Sequence, residues 1–220
     1  MPHAVVPSPG VGEGVAYRIW TGRGEGRTGA RYTEKDTTQE AGMTPAITRP
    51  NADEYAPYAA DYLRLVPDGD ILAILADQIP ALDDTLGSLS DEEALRRFAP
   101  GEWSIKEVVG HLIDAERIFS YRLLAVSRGE RASLPGFDQD DYVRAAAFGE
   151  RPFADLREEL RLLRRANLLA YRTISPEVAM RRGTANGHAF SVRALVYLLA
   201  GHCNYHLIDL REKYLLALER

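Results

Sequence analysis

The sequence predicts an all-α fold built as a four-helix bundle. Three observations carry that prediction. Apolar residues recur at helical spacing over four long segments. Each segment opens on a residue suited to starting a helix: Asp70, Ser104, Pro152 and Ser191. The period-2 alternation of half-buried strands is almost absent. Four amphipathic helices of this kind can bury their apolar stripes only on one another.

Residues 1–43 are rich in Gly, polar and without period. Such a segment buries too little apolar surface to offset its ordering entropy, and a disordered tail is expected. Met43 opens a segment that reads as an ordinary start, so translation beginning there is an alternative origin for the tail. Residues 44–66 mix Pro and Tyr and read as an extended arm with one short helix; the bundle follows over 67–217. Asp70 caps a helix running to Leu86 through Leu72, Leu75, Ile79 and Leu82, with a kink expected at Pro80 and an end at Gly87. Ser90 and Glu93 form a capping-box pattern over a short helix.

A clearer capping box, Ser104 with Glu107, opens a long helix that Gly129 closes. Its apolar face holds Ile105, Val108, Val109, Leu112, Phe119, Leu123 and Val126, with His111 at the edge of that face. Residues 130–149 read as a loop with a short helical piece. The third long helix is expected over 152–174, then a second loop over 175–190, then a last helix from Ser191 to about 216.

Composition narrows the function classes. The chain has 220 residues, 45% of them hydrophobic and 27% charged, with a formal net charge of −5. That balance argues against a nucleic-acid binder, which needs clustered Lys and Arg. The basic run 161–172 is short and reads as solvated surface on one helix. One cysteine, Cys203, allows no intrachain disulfide, and a reducing cytoplasm is the simplest setting. No apolar stretch reaches the roughly 18 residues of a membrane span, and no basic-then-apolar leader opens the chain.

The chemistry sits in the histidines, of which the chain has five. On the last helix Leu195, Leu199, His202, His206 and Leu210 lie along one stripe. His202 and His206 are four apart, so their Cβ atoms lie about 5–6 Å from each other and both rings point into the bundle. His111, midway along a neighbouring helix, can supply a third nitrogen, as bundle cores do for metals. A lone inward histidine is more often a hydrogen-bonded core residue than a ligand. An H-x3-H pair on an apolar face joined by a third histidine shifts the balance to a metal. Three ligands leave positions open, which favours chemistry over a purely structural ion.

The segments "FAPGEWSIKEVVGHLIDAE" (98–116) and "AGHCNYHLIDLREKYL" (200–215) resemble the DinB/YfiT-like metalloenzymes, over about residues 60–216. The resemblance implies a four-helix bundle in up-down-down-up order, often dimeric. It implies a three-histidine site, carried onto His111, His202 and His206, for a divalent ion such as zinc or nickel. It further implies a thiol-dependent S-transferase or isomerase using a low-molecular-weight thiol such as bacillithiol or mycothiol.

Other residues are weighed against blander roles. Asp138, Asp140 and Tyr142 follow the His111 helix and could line a substrate pocket; an Asx-type turn with a solvated acidic tip is the alternative. Asn186 and His188 could reach the pocket mouth, although Asn-Gly is also a common turn. Trp103 precedes Ser104 where a hydrophobic staple sits. Cys203 points about 100° away from His202 and reads as a packing residue. The leading expectation is a metal-dependent transferase or hydrolase-like enzyme acting on a small molecule. The competing readings are a non-catalytic metal- or ligand-binding module in stress response, and a bundle whose histidines only hydrogen-bond.

Overall fold

The computed structural model describes residues 47–215. The tail expected over 1–43 and the start at Met43 lie outside the described residues. Among the described residues there are seven α-helices and one two-stranded hairpin.

Four helices form the bundle. They are α2 (Ile71–Leu86), α3 (Ile105–Ser127), α5 (Phe153–Tyr171) and α7 (Val192–Asp209). Their starts follow their sequence signals. The Asp70 carboxylate accepts the Leu72 N–H, and the Ser191 hydroxyl accepts that of Ala194. Ser104 and Glu107 complete a reciprocal capping box. α2 continues through Pro80, which has no N–H to give the preceding turn. Three shorter helices accompany the bundle: α1 (Ala59–Leu63), α4 (Gln139–Ala146) and α6 (Pro176–Ala179).

Side-chain contacts fix the topology. Gln78 on α2 reaches Ala200 and Asn204 on α7, and Thr85 meets Arg211 just beyond it, so α2 and α7 are parallel. Leu75 and Gln78 meet Arg164 on α5, while Asp83 meets Arg157, so α5 runs against α2. Arg117 on α3 pairs with Glu159 on α5 and Glu116 bonds Asn167, whereas Lys106 reaches the carbonyl of Arg151, so α3 and α5 are parallel. The order is therefore up-down-down-up. A parallel α3–α5 pair needs a long crossover, and residues 128–152 supply it.

The interior is layered. One apolar cluster holds Leu75, Ala115, Phe119, Leu168 and Leu195; a second holds Leu82, Ile113, Leu160, Cys203 and Leu207. Between them along the helices lies a buried polar layer. Arg164 and Glu116 are each 1% exposed. The Arg164 guanidinium donates to Glu116 through Nε at 3.0 and 3.1 Å and through Nη2 at 2.9 Å. Its Nη1 donates to the Leu75 carbonyl at 2.9 Å and to Gln78 Oε1 at 2.6 Å. Gln78 Nε2 then donates to the Ala200 carbonyl and to Asn204 Oδ1, each at 2.7 Å. Arg164 belongs to the run read from sequence as solvated surface; its partners on α2 and α3 draw it inside.

The segment before α2 is pinned rather than merely laid on the bundle. The Arg193 guanidinium grips the buried Glu54 carboxylate and holds it down to about 2. Arg49 donates to the Leu63 and Val66 carbonyls at the end of α1. α1 lies against α7 because Gly201 has no side chain: a Cβ there would sit 2.1 Å from the Tyr62 carbonyl oxygen.

Three expectations change. The loop expected over 175–190 contains α6 and a hairpin, β1 (Arg182–Ala185) paired antiparallel with β2 (His188–Ser191). Its strands are four residues long, too short to display alternation. Its two-residue turn, Asn186–Gly187, takes φ of 51° and 75°, the left-handed pair that suits strand twist. The Ser90–Glu93 box forms but carries only a 3₁₀ turn, Glu93–Leu95. The last helix ends at Asp209 and continues as a π turn, Leu210–Leu215. None of the described helices is long and apolar enough to cross a membrane.

Removing one member of the buried ion pair leaves the other charged and unpaired. Arg164→Met is expected to lower unfolding free energy in urea by about 3–5 kcal/mol, and Arg164→Met with Glu116→Leu to recover most of that loss.

Candidate metal centre

α3 and α7 run antiparallel and in contact, which brings the first third of α3 to the second half of α7. His111 on α3 thereby meets His202 and His206, one turn apart on α7. One ring nitrogen from each lies within 4.8 Å of the others. His202 Nε2 is 3.0 Å from His111 Nε2 and 3.2 Å from His206 Nε2. His111 is 2% and His202 6% exposed, so the edge position expected for His111 is in fact interior; His206 keeps partial exposure.

The rings are walled by aromatics. Trp103 tilts over His111 with centroids 4.8 Å apart. Phe119 stands edge-on to His202, Tyr62 tilts against it, and Tyr205 stands edge-on to His206. Burial disfavours the charged form of each imidazole. It pulls His111 down to about 3, with the nearby His206 adding to the effect. His206 falls to about 4 by burial and then by the Lys213 ammonium. His202 is pushed well down by burial and by the other two histidines. The three rings are therefore neutral near pH 7, with lone pairs to give.

This arrangement fits a metal ion. One proton on His202 Nε2 can bridge to only one of its two neighbours, so protons alone leave nitrogen lone pairs opposed. A metal–nitrogen bond of about 2.0–2.1 Å sets two nitrogens about 2.9 Å apart at a right angle and about 3.3 Å apart at the tetrahedral angle. The two separations from His202, 3.0 and 3.2 Å, fall between those values, and the third pair, His111 with His206, lies within 4.8 Å, so a small turn of one ring brings all three onto a single ion.

The centre opens on a cavity of about 660 Å³. His206 lines it together with Tyr62, Trp103 and Tyr205, and its rim carries Glu102, Asp140, Asp209 and Lys213. That volume lies in the range of small-molecule sites. Of the five residues weighed for a pocket, Asp140 lines this cavity. Asp138 is the N-cap of α4, accepting the N–H groups of Asp140 and Asp141. Tyr142 packs on Phe137 in a neighbouring recess, Asn186 makes the hairpin turn, and His188 stands edge-on to Tyr58. These four are not among the residues lining the cavity, because α4 turns Tyr142 away from it and the hairpin packs against other segments.

Sequence reasoning missed Tyr62, Glu102, Tyr205 and Lys213. They come from the arm, the turn before α3, and the exposed side and π turn of α7, so no single periodicity groups them. Cys203 is buried among apolar residues, and burial pushes its thiol up, as suits a packing residue.

Comparison with known proteins follows the same lines. The family model of the DinB superfamily matches residues 74–210. A candidate metal-dependent hydrolase of Oceanobacillus iheyensis is 33% identical over 61 residues, 28% of this chain and 35% of that relative. The match therefore spans about a third of the relative's length. The fold resembles YfiT from Bacillus subtilis, described as a probable metal-dependent hydrolase with an unusual four-helix bundle topology. The TM-score is 0.62, at 13% identity, over 77% of this chain and 93% of that one. At that identity the likeness is one of fold.

Acid should act through the imidazoles. Unfolded histidines take up protons below about 6.5, whereas His206 and His111 wait until about 4 and 3 in the fold. The unfolded chain therefore binds more protons through that window. Stability of the metal-free protein should be full above pH 6.5 and fall progressively towards pH 4, read as Tm against pH. A flat Tm across that window would contradict neutral, buried rings.

Proposed function

The chain belongs to the DinB superfamily, and from that premise we propose a metal-dependent enzyme of the hydrolase kind acting on a small molecule. One observation carries this reading: three neutral imidazoles converge, and one of them, His206, lines a cavity of small-molecule size. His111, His202 and His206 would hold the ion through their Nε2 atoms. Imidazole nitrogen suits both zinc and nickel. Such an ion, when bound, supplies Lewis acidity that polarises a carbonyl-type oxygen or makes a water or thiol acidic. The set holds three histidines, and structural zinc sites usually fill four positions with protein ligands, which supports a role in chemistry.

The chain's own residues do the remaining work. Phe119 and Trp103 keep water from the inner faces of His202 and His111. Tyr62 and Tyr205, edge-to-face at 5.5 Å, form the outer wall against which a substrate lies. Asp140 and Glu102 add carboxylates to the lining of the same cavity. A thiol-dependent S-transfer, with a low-molecular-weight thiol as co-substrate, is the finer form of the same reading. It uses the same centre with sulfur in place of water. A protein that binds metal but turns nothing over would be the non-catalytic module instead.

Elemental mass spectrometry after equilibration with limiting zinc or nickel should find near one ion per chain. His111→Ala and His206→Ala should each abolish that binding. The loaded protein should then hydrolyse members of an ester and amide panel, or transfer a small thiol, at rates lost in both variants. Absence of bound metal would end the enzyme reading; bound metal without turnover across the panels would favour the module.

A further inference from the structure

Resting on the reading of the cavity as a substrate site, we propose that the substrate carries a protonated amine, received at the rim by Glu102 and Asp140. Six charged side chains line the cavity: Glu102, Glu107, Asp140, Arg144, Asp209 and Lys213. Four of them are already paired. Glu107 is held by Arg97 at 2.7 Å, Arg144 by Asp141 at 2.5 Å, and Lys213 by Asp209 at 3.0 Å. Glu102 and Asp140 have no ion-pair partner among the described residues. The cavity thus presents two carboxylates without a direct ion pair; Arg144 is paired outside the lining, and Lys213 is paired within it, where its ammonium also acts on Glu102 and His206.

The same lining carries five aromatic side chains. Phe98, Trp103, Tyr62, Tyr205 and Tyr214 all line the cavity. Ring faces attract cations through their quadrupole. The protein already displays this: the Lys213 ammonium sits over the Phe98 ring, 5.6 Å from its centroid, while Phe98 packs edge-on against Tyr214. Four carboxylates against two cations leave the lining net negative, which opposes an anionic substrate. An ammonium group would find carboxylate oxygens and ring faces, and the focused negative field of a cleft would draw it in. A substrate so held by one end presents its other end towards His206.

Three compounds share the neohexyl skeleton and differ in charge: 3,3-dimethylbutylamine, 3,3-dimethylbutan-1-ol and 3,3-dimethylbutanoate. Their binding can be read from Trp103 fluorescence in full-length protein carrying Trp20→Phe, both metal-free and zinc-loaded. In metal-free protein the amine should bind best and the carboxylate worst, with the amine about tenfold tighter than the alcohol. The amine should also outrank the alcohol in the zinc-loaded form. Glu102→Gln with Asp140→Asn should bring amine and alcohol to within about twofold, as should high salt. An alcohol that binds as tightly as the amine overturns the proposal, as does a carboxylate that binds best to metal-free protein, or no binding of any of the three. Zinc content measured on the same samples separates the two readings. Protein without zinc refutes the metal centre and leaves the charge ranking standing; zinc-loaded protein with the wrong ranking refutes only the amine.

Discussion

One buried guanidinium sets the register on which the three-histidine cluster depends. Arg164 comes from α5, holds Glu116 on α3, and reaches Leu75 and Gln78 on α2. Gln78 carries the connection to Ala200 and Asn204 on α7. Glu116 lies five residues after His111, and Ala200 and Asn204 bracket His202. A slide of α3 along α7 by one turn, about 5.4 Å, would break these bonds and part the imidazoles together. An apolar layer would tolerate such a slide, because hydrophobic contact is not directional. Burying the pair contributes little net stability compared with leucine or methionine, and its value lies in admitting one alignment of four helices.

The same logic explains why the centre is dry on one side and wet on the other. His111 and His202 face the packed interior, under Trp103 and Phe119. His206, one turn further along α7, reaches the cavity. α1 closes the flank, and it can do so only because Gly201 lets the Tyr62 backbone come against α7. The π turn after Asp209 then carries Lys213 and Tyr214 into the cavity wall. π turns recur near functional sites, since the inserted residue re-aims side chains beyond it.

Much of this was legible in the chain. Capping residues located α2, α3 and α7 because an N-cap works through local bonds that the sequence states directly; Pro152 marked the start of α5 without such a bond, one position before the first helical residue. His202 and His206 were legible as a pair because a four-residue spacing places both on one face. Their partner was harder to place: His111 looks peripheral on the apolar stripe of α3, and the antiparallel contact with α7 puts it inside. The hairpin escaped because four-residue strands carry almost no pattern, although Asn186–Gly187 was a sound turn signal. Arg164 escaped because the face of α5 that meets Glu116 depends on a parallel α3–α5 crossover, which no local rule reveals. The cavity wall escaped for the same reason, being assembled from separate segments.

The central claim is that three imidazoles hold one divalent ion and leave room beside it. X-ray absorption at the metal edge of nickel- or zinc-loaded protein tests this most directly, because it counts the ligands. Three imidazole nitrogens at about 2.0–2.1 Å are expected, plus at least one oxygen ligand that gives way to sulfur at about 2.3 Å when a small thiol is added. A shell without three imidazoles, or one closed by four protein ligands and indifferent to thiol, would contradict it.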